Sequence, residues 1–379
     1  MNKTDGKKEN KVAAVSFKKE IGKSILDFLK QGIEKEVFDE VIIPMKVPAG
    51  DSFAYVLIRD KKFIDDGIFL SPVMPVQGGK MVSSVTRLGS NDTTTAVIMR
   101  PCEMRATIEL SKVGQTNLEN LVLISMDCPG VMPISDYLKD PEKQLKKFNE
   151  SANKLDDCIM RPVCKICDKS SMIAGDLHIG TLGAKKDSFY LISNSEKGNS
   201  VIEKMGLKED NSINSWKEKV KKISEEKKEK RIKKNKELKN KIGGIDKLTE
   251  AFSKCINCHN CMSVCPVCFC RLCYFESDKV KQPSDDYLAR AKNKGSIRFL
   301  PDTTLFHMGR MTHMSLSCVS CGACEDACPV DIPVAQIFCM ISDETQKLFD
   351  YISGRSPDEP IPLVAYKEEE LVEMEDSND

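Results

Sequence analysis

Residues 318–330 read CVSCGACEDACPV, and residues 255–266 read CINCHNCMSVCP. Both runs follow C-x2-C-x2-C-x3-C-P, the ligand spacing of bacterial two-cluster ferredoxins. Three thiolates spaced by two residues wrap a short loop around one corner of a cubane. The cysteine before proline reaches the other cluster, because proline turns the chain and cannot continue the hydrogen bonding of the loop. The expected pairing is therefore crossed: Cys255, Cys258, Cys261 and Cys328 hold one [4Fe–4S] cluster, and Cys318, Cys321, Cys324 and Cys265 hold the second. Two C-x-x-C pairs can also hold a structural zinc. A third cysteine at the same spacing and a fourth before proline, twice over, is the iron–sulfur pattern. About fifty residues separate the runs, and that insertion is expected to loop out of the shared core.

Working outward, the 17 cysteines are unevenly placed: Cys102, Cys128, Cys158, Cys164 and Cys167 precede residue 250, and the rest crowd into residues 255–339. A secreted disulfide scaffold is short and carries an entry signal. This chain of 379 residues opens on the charged stretch MNKTDGKKENK, where a signal peptide has an apolar core. No run approaches the roughly 18 apolar residues of a membrane span. The expectation is a cytoplasmic chain with reduced cysteines serving as metal ligands or redox thiols. The formal net charge is zero, which removes any global argument for nucleic acid.

Immediately after the first run, VCFCRLC adds Cys268, Cys270 and Cys273, read as extra ligands, a dithiol, or small apolar residues packed beside a cluster. Cys339, in IFCMI, reads as core. His178, His259, His307 and His313 show no hydrolytic metal spacing, and read as structural or near-cluster polar groups. EIGKS at residues 20–24 resembles the end of a phosphate loop, but no glycine opens it.

The rest of the chain sorts into domains. Residues 1–15 are expected to be a flexible N-terminal tail. Residues 16–210 carry helical periodicity running into a β-branched patch, then FAYVLI, TAVIMR and NLVLISMDC as short buried strands, with PCEMRATIELSKV as a crossover helix. That alternation predicts an α/β domain. Residues 211–246 form a charged helical linker, in which residues 217–241 hold thirteen Lys or Arg and five Glu. A solvated helix is the expectation, and no interleaved aromatics support nucleic-acid binding. Residues 247–345 make a ferredoxin-like α+β module with two [4Fe–4S] clusters, and residues 346–379 a C-terminal tail ending in KEEELVEMEDSND.

A third quartet is possible upstream. Cys164 and Cys167 form CKIC, while Cys102 and Cys128 stand at predicted strand ends, which converge on one rim of an α/β sheet. Four thiolates from three loops can meet there around a third cluster, and Cys158 is a candidate replacement for one of them. Clusters carry electrons singly, so a two-electron substrate would require an organic cofactor such as a flavin.

The segments RPCEMRATIEL, NLENLVLISMDCPG, CKICDKSSMIAGDLHIGTLGAKKD, CINCHNCMSVCPVCFCRLC and SCVSCGACEDACPVDIPVAQIF together resemble the beta subunits of coenzyme F420-dependent formate dehydrogenases, relatives of the F420-reducing hydrogenase beta subunit. The resemblance spans roughly residues 75–355. It implies an iron–sulfur flavoprotein that uses FAD to pass electrons between a catalytic partner, of formate dehydrogenase alpha or hydrogenase type, and a soluble carrier such as coenzyme F420. By position it makes Cys102, Cys128, Cys164 and Cys167 the ligands of the cluster nearest the flavin. It makes Gln77, Gly78, Gly79 and Lys80, with Asp176, Gly180 and Gly183, parts of the flavin pocket, where backbone can approach a flat ring only if no side chain intrudes. The departure is at Ile21, Gly22 and Lys23, where family members carry Cys-Gly-Gly. A flavin-free relay, joining a hydrogenase or formate dehydrogenase to a heterodisulfide-reductase-like complex or exchanging electrons with ferredoxin, is the alternative.

Overall fold

The computed structural model describes residues 11–90, 92–154, 157–185, 187–210, 213–278, 283–295 and 301–362. The acidic stretch KEEELVEMEDSND lies outside them.

Seven strands form one mixed sheet: β1 (Val12–Ser16), β2 (Glu40–Lys46), β3 (Phe53–Ile58), β4 (Thr95–Met99), β5 (Leu121–Met126), β6 (Leu177–Gly180) and β7 (Ser188–Ser193), in the order β1-β7-β6-β5-β4-β2-β3. The central strands β2, β4, β5 and β6 are parallel, and the outer strands are antiparallel to their neighbours. β4 and β5 are buried at every residue, as expected of strands covered on both faces, whose sequences are unbroken apolar runs rather than alternations. TAVIM and LVLISM thus fold as the buried strands expected of them, whereas FAYVLI is a strand at the sheet edge, not a buried one, and leaves Ala54, Val56 and Leu57 exposed.

Helices α1 (Ile21–Glu34), α2 (Gly78–Thr86) and α3 (Pro101–Lys112) belong to this α/β unit. α3 is the crossover between β4 and β5. Pro101 occupies its first position, where the missing N–H costs no bond, and Glu103 accepts from the Arg100 N–H at 3.0 Å. Three aromatic rings, Phe28, Phe38 and Phe189, meet in edge-on contacts in the main core.

α4 (Asn214–Ile242) then runs for 29 residues and buries only Trp216, Arg231 and Ile242. So few apolar anchors cannot stabilise a helix by burial alone. Its hold comes from its ends and from Arg231, which pairs with Asp343 through two hydrogen bonds of 2.6 and 2.7 Å. α5 (Pro301–Met314) and α6 (Val334–Leu348) pack around the second core, with Phe306, Met311, Ile337 and Phe338 buried among the cysteines.

Three boundaries differ from the sequence reading, and so does the class of the second module: its described residues hold helices and turns but no strand, where an α+β module is expected. Val12–Ser16 pairs with β7, so the sheet takes in the end of the segment expected to be an N-terminal tail. The insertion between the cysteine runs does not wholly loop out, because α5 buries Phe306, Met311 and Met314 in the shared core. Finally, residues 351–361 are not a loose tail. Tyr351, Ser353 and Ile361 are buried, and Glu109 of α3 accepts from the Tyr351 hydroxyl and the Gly354 N–H at 2.5 and 2.6 Å. Gly354 has φ +70°, and a Cβ there would stand 2.3 Å from the Arg105 carbonyl oxygen. Only glycine allows this strap to lie flat on the helix.

Candidate iron–sulfur centres

The two cysteine runs share one backbone. Asn257 and His259 in the first run, and Ser320 and Gly322 in the second, are left-handed at matching positions, with φ of 55°, 57°, 59° and 82°. Such residues curl successive peptide N–H groups into a concave nest suited to anions. Accordingly the Asn257 N–H donates to Cys255 Sγ at 3.4 Å, and the Ser320 N–H offsets part of the rise that burial imposes on the Cys318 thiol. Each run ends in a single helical turn, Asn260–Ser263 or Ala323–Asp326.

The side chains meet across the runs. Burial pushes the Cys261 thiol up to about 11; Arg310 opposes the rise, while Cys255, Cys258 and Cys328 add to it. Cys328, from the second run, therefore stands with the first three cysteines. Conversely Cys265, from the first run, lines one cavity with Cys318, Cys321 and Cys324. Burial raises Cys324 well above the ordinary thiol range, and Cys265 and Cys321 raise it further. Among the described residues no three Cys, His, Asp or Glu side chains converge closely enough to hold a single ion. The four cysteines of a cubane each bond a different iron, so they stand wider than the ligands of a zinc site, whose sulfurs all lie about 2.3 Å from one metal. Buried thiols of raised pKa give up their protons to a metal on binding, and the crossed quartets fit [4Fe–4S] clusters on that chemistry.

The upstream quartet also assembles. Cys102 opens α3 after β4, Cys128 follows the neighbouring parallel strand β5, and Cys164 and Cys167 come from the turn Pro162–Lys165 and its exit. Cys128 is pushed up to about 12 by burial, against Arg100 and with Cys164 and Cys167. Cys102 is raised by burial first, then by Glu103, then by Cys321 of the second run, then by Cys128. The upstream group thus abuts the quartet of the second run. Cys158 is exposed, whereas these four are half-buried. Gly130 permits the approach, because with φ +111° its Cβ would lie 2.9 Å from that of Cys164.

Charged side chains from several elements tie these groups together. Arg161 pairs with Asp326, donates to the Cys321 carbonyl at 3.4 Å, and is 2 % exposed. Arg310 donates to Cys261 Sγ at 3.0 Å. His307 is stacked on Phe252 with ring centroids 3.8 Å apart, and its Nε2 lies 3.4 Å from Cys255 Sγ. Burial, with Arg310 and His259, holds its pKa down to about 3, so the ring is neutral. His259 stacks on Phe306 and bonds Glu276 at 2.7 Å. His178 is a structural group, bonded to Ser125 and Asp127, and His313 is exposed. The arginines escaped the sequence reading. The one available signal for Arg310 was a lone arginine in LFHMGRMTHM, among residues that suit a core.

Of the remaining cysteines, Cys268 is pushed up to about 12 by burial and then by Cys265, Cys270 is exposed, and Cys339 is buried.

The segments expected to cradle a flavin are tied into the packing of the chain. Gln77 caps α2, its side chain accepting from Gly79 N–H at 2.7 Å and donating to the Cys102 carbonyl at 3.2 Å. A Cβ at Gly78 would meet Met99 at 2.8 Å, and one at Gly79 would meet Ala106 at 2.9 Å. Lys80 donates to the Ser263 carbonyl. Asp176 bonds the Leu123 N–H and the Ser195 hydroxyl at 2.9 and 2.6 Å. Gly180 and Gly183 give room to Trp216 and Ser215 of α4, which would stand 2.7 and 2.6 Å from an added Cβ. Trp216 in turn donates to Asp127, which also accepts from the Thr181 and Leu182 N–H groups. Close packing of the chain on itself leaves no room for a side chain at these glycines. A separate cavity, lined by Phe53, Tyr55, Ser71, Arg100 and Glu103, opens beside the upstream quartet. Arg100 is 3 % exposed there, and its Nε has no hydrogen-bond partner.

Residues 250–332 match the 4Fe-4S dicluster domain. Among curated proteins, the chain is 29 % identical over 387 residues to F420-dependent formate dehydrogenase 1 subunit beta of Methanococcus maripaludis, covering 92 % of this chain and 95 % of that one. It is 26 % identical over 306 residues to F420-dependent formate dehydrogenase subunit beta of Methanocaldococcus jannaschii, covering 74 % and 78 %. Among solved structures, a chain of the F420-reducing [NiFe] hydrogenase complex from Methanosarcina barkeri aligns with a TM-score of 0.44 at 14 % identity, covering 62 % of this chain and 93 % of that one. The resemblance carried by the cysteine runs and their flanks is thus to named formate dehydrogenase beta subunits, which are subunits of oxidoreductases. No helix among the described residues is long and apolar enough to cross a membrane.

Proposed function

We propose that this chain is the electron-transfer subunit of an F420-dependent formate dehydrogenase, working in the cytoplasm beside a separate catalytic subunit that handles formate. The observation that carries the reading is the contiguity of three cysteine quartets. The first-run group neighbours the second-run group through the crossed cysteines, and Cys321 faces Cys102 of the upstream group. In this reading Cys255, Cys258, Cys261 and Cys328 hold one cluster, Cys265, Cys318, Cys321 and Cys324 the next, and Cys102, Cys128, Cys164 and Cys167 the third. Electrons enter at the first-run end. Cys258 is exposed there, and Ile256, Phe269 and Leu272 of the same module present apolar side chains to solvent, as a partner-binding face does.

One-to-two-electron conversion belongs at the other end. FAD would supply that conversion when bound, and the resemblance assigns it to Gln77, Gly78, Gly79 and Lys80 with Asp176, Gly180 and Gly183. The packed glycine segments also favour a second reading, the flavin-free relay.

Metal analysis after anaerobic preparation tests the first layer: about twelve irons per chain are expected from three cubanes, and zinc in their place overturns the reading. The visible spectrum after acid extraction separates the two versions of the exit. Dithionite-reduced protein, freed of excess reductant, is then offered coenzyme F420, NAD, NADP and ferredoxin separately. Extractable flavin with reoxidation by the deazaflavin supports the dehydrogenase subunit. Flavin-free protein that exchanges electrons with ferredoxin alone supports the relay.

A further inference from the structure

Arg310 differs from Arg161 and Arg231, two other buried arginines that reach the cysteine-rich region. Arg161 is neutralised by Asp326 and Arg231 by Asp343, whereas among the described residues Arg310 has no carboxylate within ion-pair distance. It is 3 % exposed. Its Nη1 donates to Cys261 Sγ and its Nη2 to the Cys261 carbonyl, each at 3.0 Å. The plane of the guanidinium lies near Phe338, 4.8 Å from the ring centroid. Its Nε is buried with no hydrogen-bond partner, and the same side chain lines the cavity of Cys265, Cys318, Cys321 and Cys324. One guanidinium therefore bonds a cysteine of the first quartet and walls the space enclosed by the second. A buried charge without a counter-ion is strongly unfavourable, so its presence calls for an anion on that side of the side chain.

We infer that Arg310 is a cation shared by the two clusters of the dicluster module, holding up the reduction potentials of both. The inference rests on the reading of the two quartets as [4Fe–4S] sites. A cubane ligated by four thiolates is anionic, and each one-electron reduction adds a negative charge to it. A fixed guanidinium in a site of low dielectric stabilises that added charge, and hydrogen bonds to cluster sulfurs act in the same sense. The residue reaches this position because α5 does not loop away from the module. The insertion that separates the two runs thereby supplies an element that matched spacing cannot, a single charge coupled to both centres.

The test uses the full chain, loaded with iron and sulfide and titrated anaerobically with dithionite while the reduced clusters are followed by electron paramagnetic resonance. R310Q is expected to lower the midpoints of both module clusters at unchanged iron content, with the third cluster as an unmoved internal reference. R310K, which keeps the charge but not the fork, is expected to lower both by less. Unchanged midpoints in R310Q overturn the inference, and so does a shift confined to the cluster on Cys261, which would reduce Arg310 to a local hydrogen bond. Should R310Q fail to assemble its clusters, R310M, which also removes the charge, decides in its place: both midpoints lowered supports the shared cation, and none or only one lowered overturns it. Wild-type protein without iron–sulfur signals would instead overturn the cluster assignment itself.

Discussion

The two cysteine runs have the same spacing and the same pair of left-handed residues, yet they sit in different surroundings. The first run leaves Cys258 exposed and takes its buried polar contacts from the insertion, through His307 and Arg310. The second is wedged between the sheet domain and the strap. Arg161 grips its Cys321 carbonyl and Asp326, and Ser353 Oγ donates to the Cys318 carbonyl at 3.0 Å. Gly322 permits the wedge, since a Cβ there would lie 2.6 Å from Val163. Spacing therefore fixes how a run wraps a cluster, while neighbours decide which partners and charges that cluster meets.

Removing the ligand that crosses between the runs should produce the largest effect. Cys265→Ser is expected to lower iron from about twelve to about eight per chain, the loss of one cubane, while the signal of the cluster on Cys255 persists. Loss of the first-run signal instead would break the crossed arrangement. Next comes the tie that belongs to the second run alone. Arg161 and Asp326 are 2 % and 8 % exposed, and cutting one partner of a buried pair costs about 3–5 kcal/mol. Asp326→Asn should therefore lower the denaturation midpoint by that equivalent and weaken the second-run cluster before the first. Equal loss from both would show that the surroundings are not divided as described.

A smaller effect is expected where the sheet domain meets α4. Gly180→Ala drives a methyl against Trp216, and overpacking of this kind costs about 1–3 kcal/mol. Thermal unfolding should register it with flavin content unaltered. Flavin loss at unchanged stability would return Gly180 to the cofactor. Least of all, Asn257→Gly removes a left-handed non-glycine residue from the first run but also its contact with His259 at 3.1 Å. The two effects oppose, and a net change within about 0.5 kcal/mol is expected at full iron occupancy. A large loss would mean that the Asn257 side chain, and not its backbone, shapes the loop.

Much of the fold was legible. FAYVLI, TAVIM and LVLISM are β-rich runs bounded by turn residues, and they became β3, β4 and β5. The basic stretch became α4, because Lys, Glu and Arg are good helix formers even where little is buried. β1 was missed since VAAVS is too short and too weakly patterned to stand out from the charged residues before it. Its place is set by pairing with β7, which lies about 175 residues away. The strap was missed for a similar reason: its burial depends on Glu109 and Arg105, which no local pattern connects to Tyr351 or Ser353.

A glycine marks a close approach without saying what approaches, and at Gly180 the visitor is Trp216. By itself the sequence determined the two cysteine runs, because each run sets three ligands of one cluster in a single short loop. It also determined the middle of the parallel core, where β4 and β5 are largely apolar and buried along their whole length. Tertiary structure alone decided that Cys102 faces Cys321, that α5 returns to the core, and that Arg310 reaches both quartets. Those are contacts between elements far apart in the chain, set by packing and by the need of buried charge for a partner, and no local spacing encodes them.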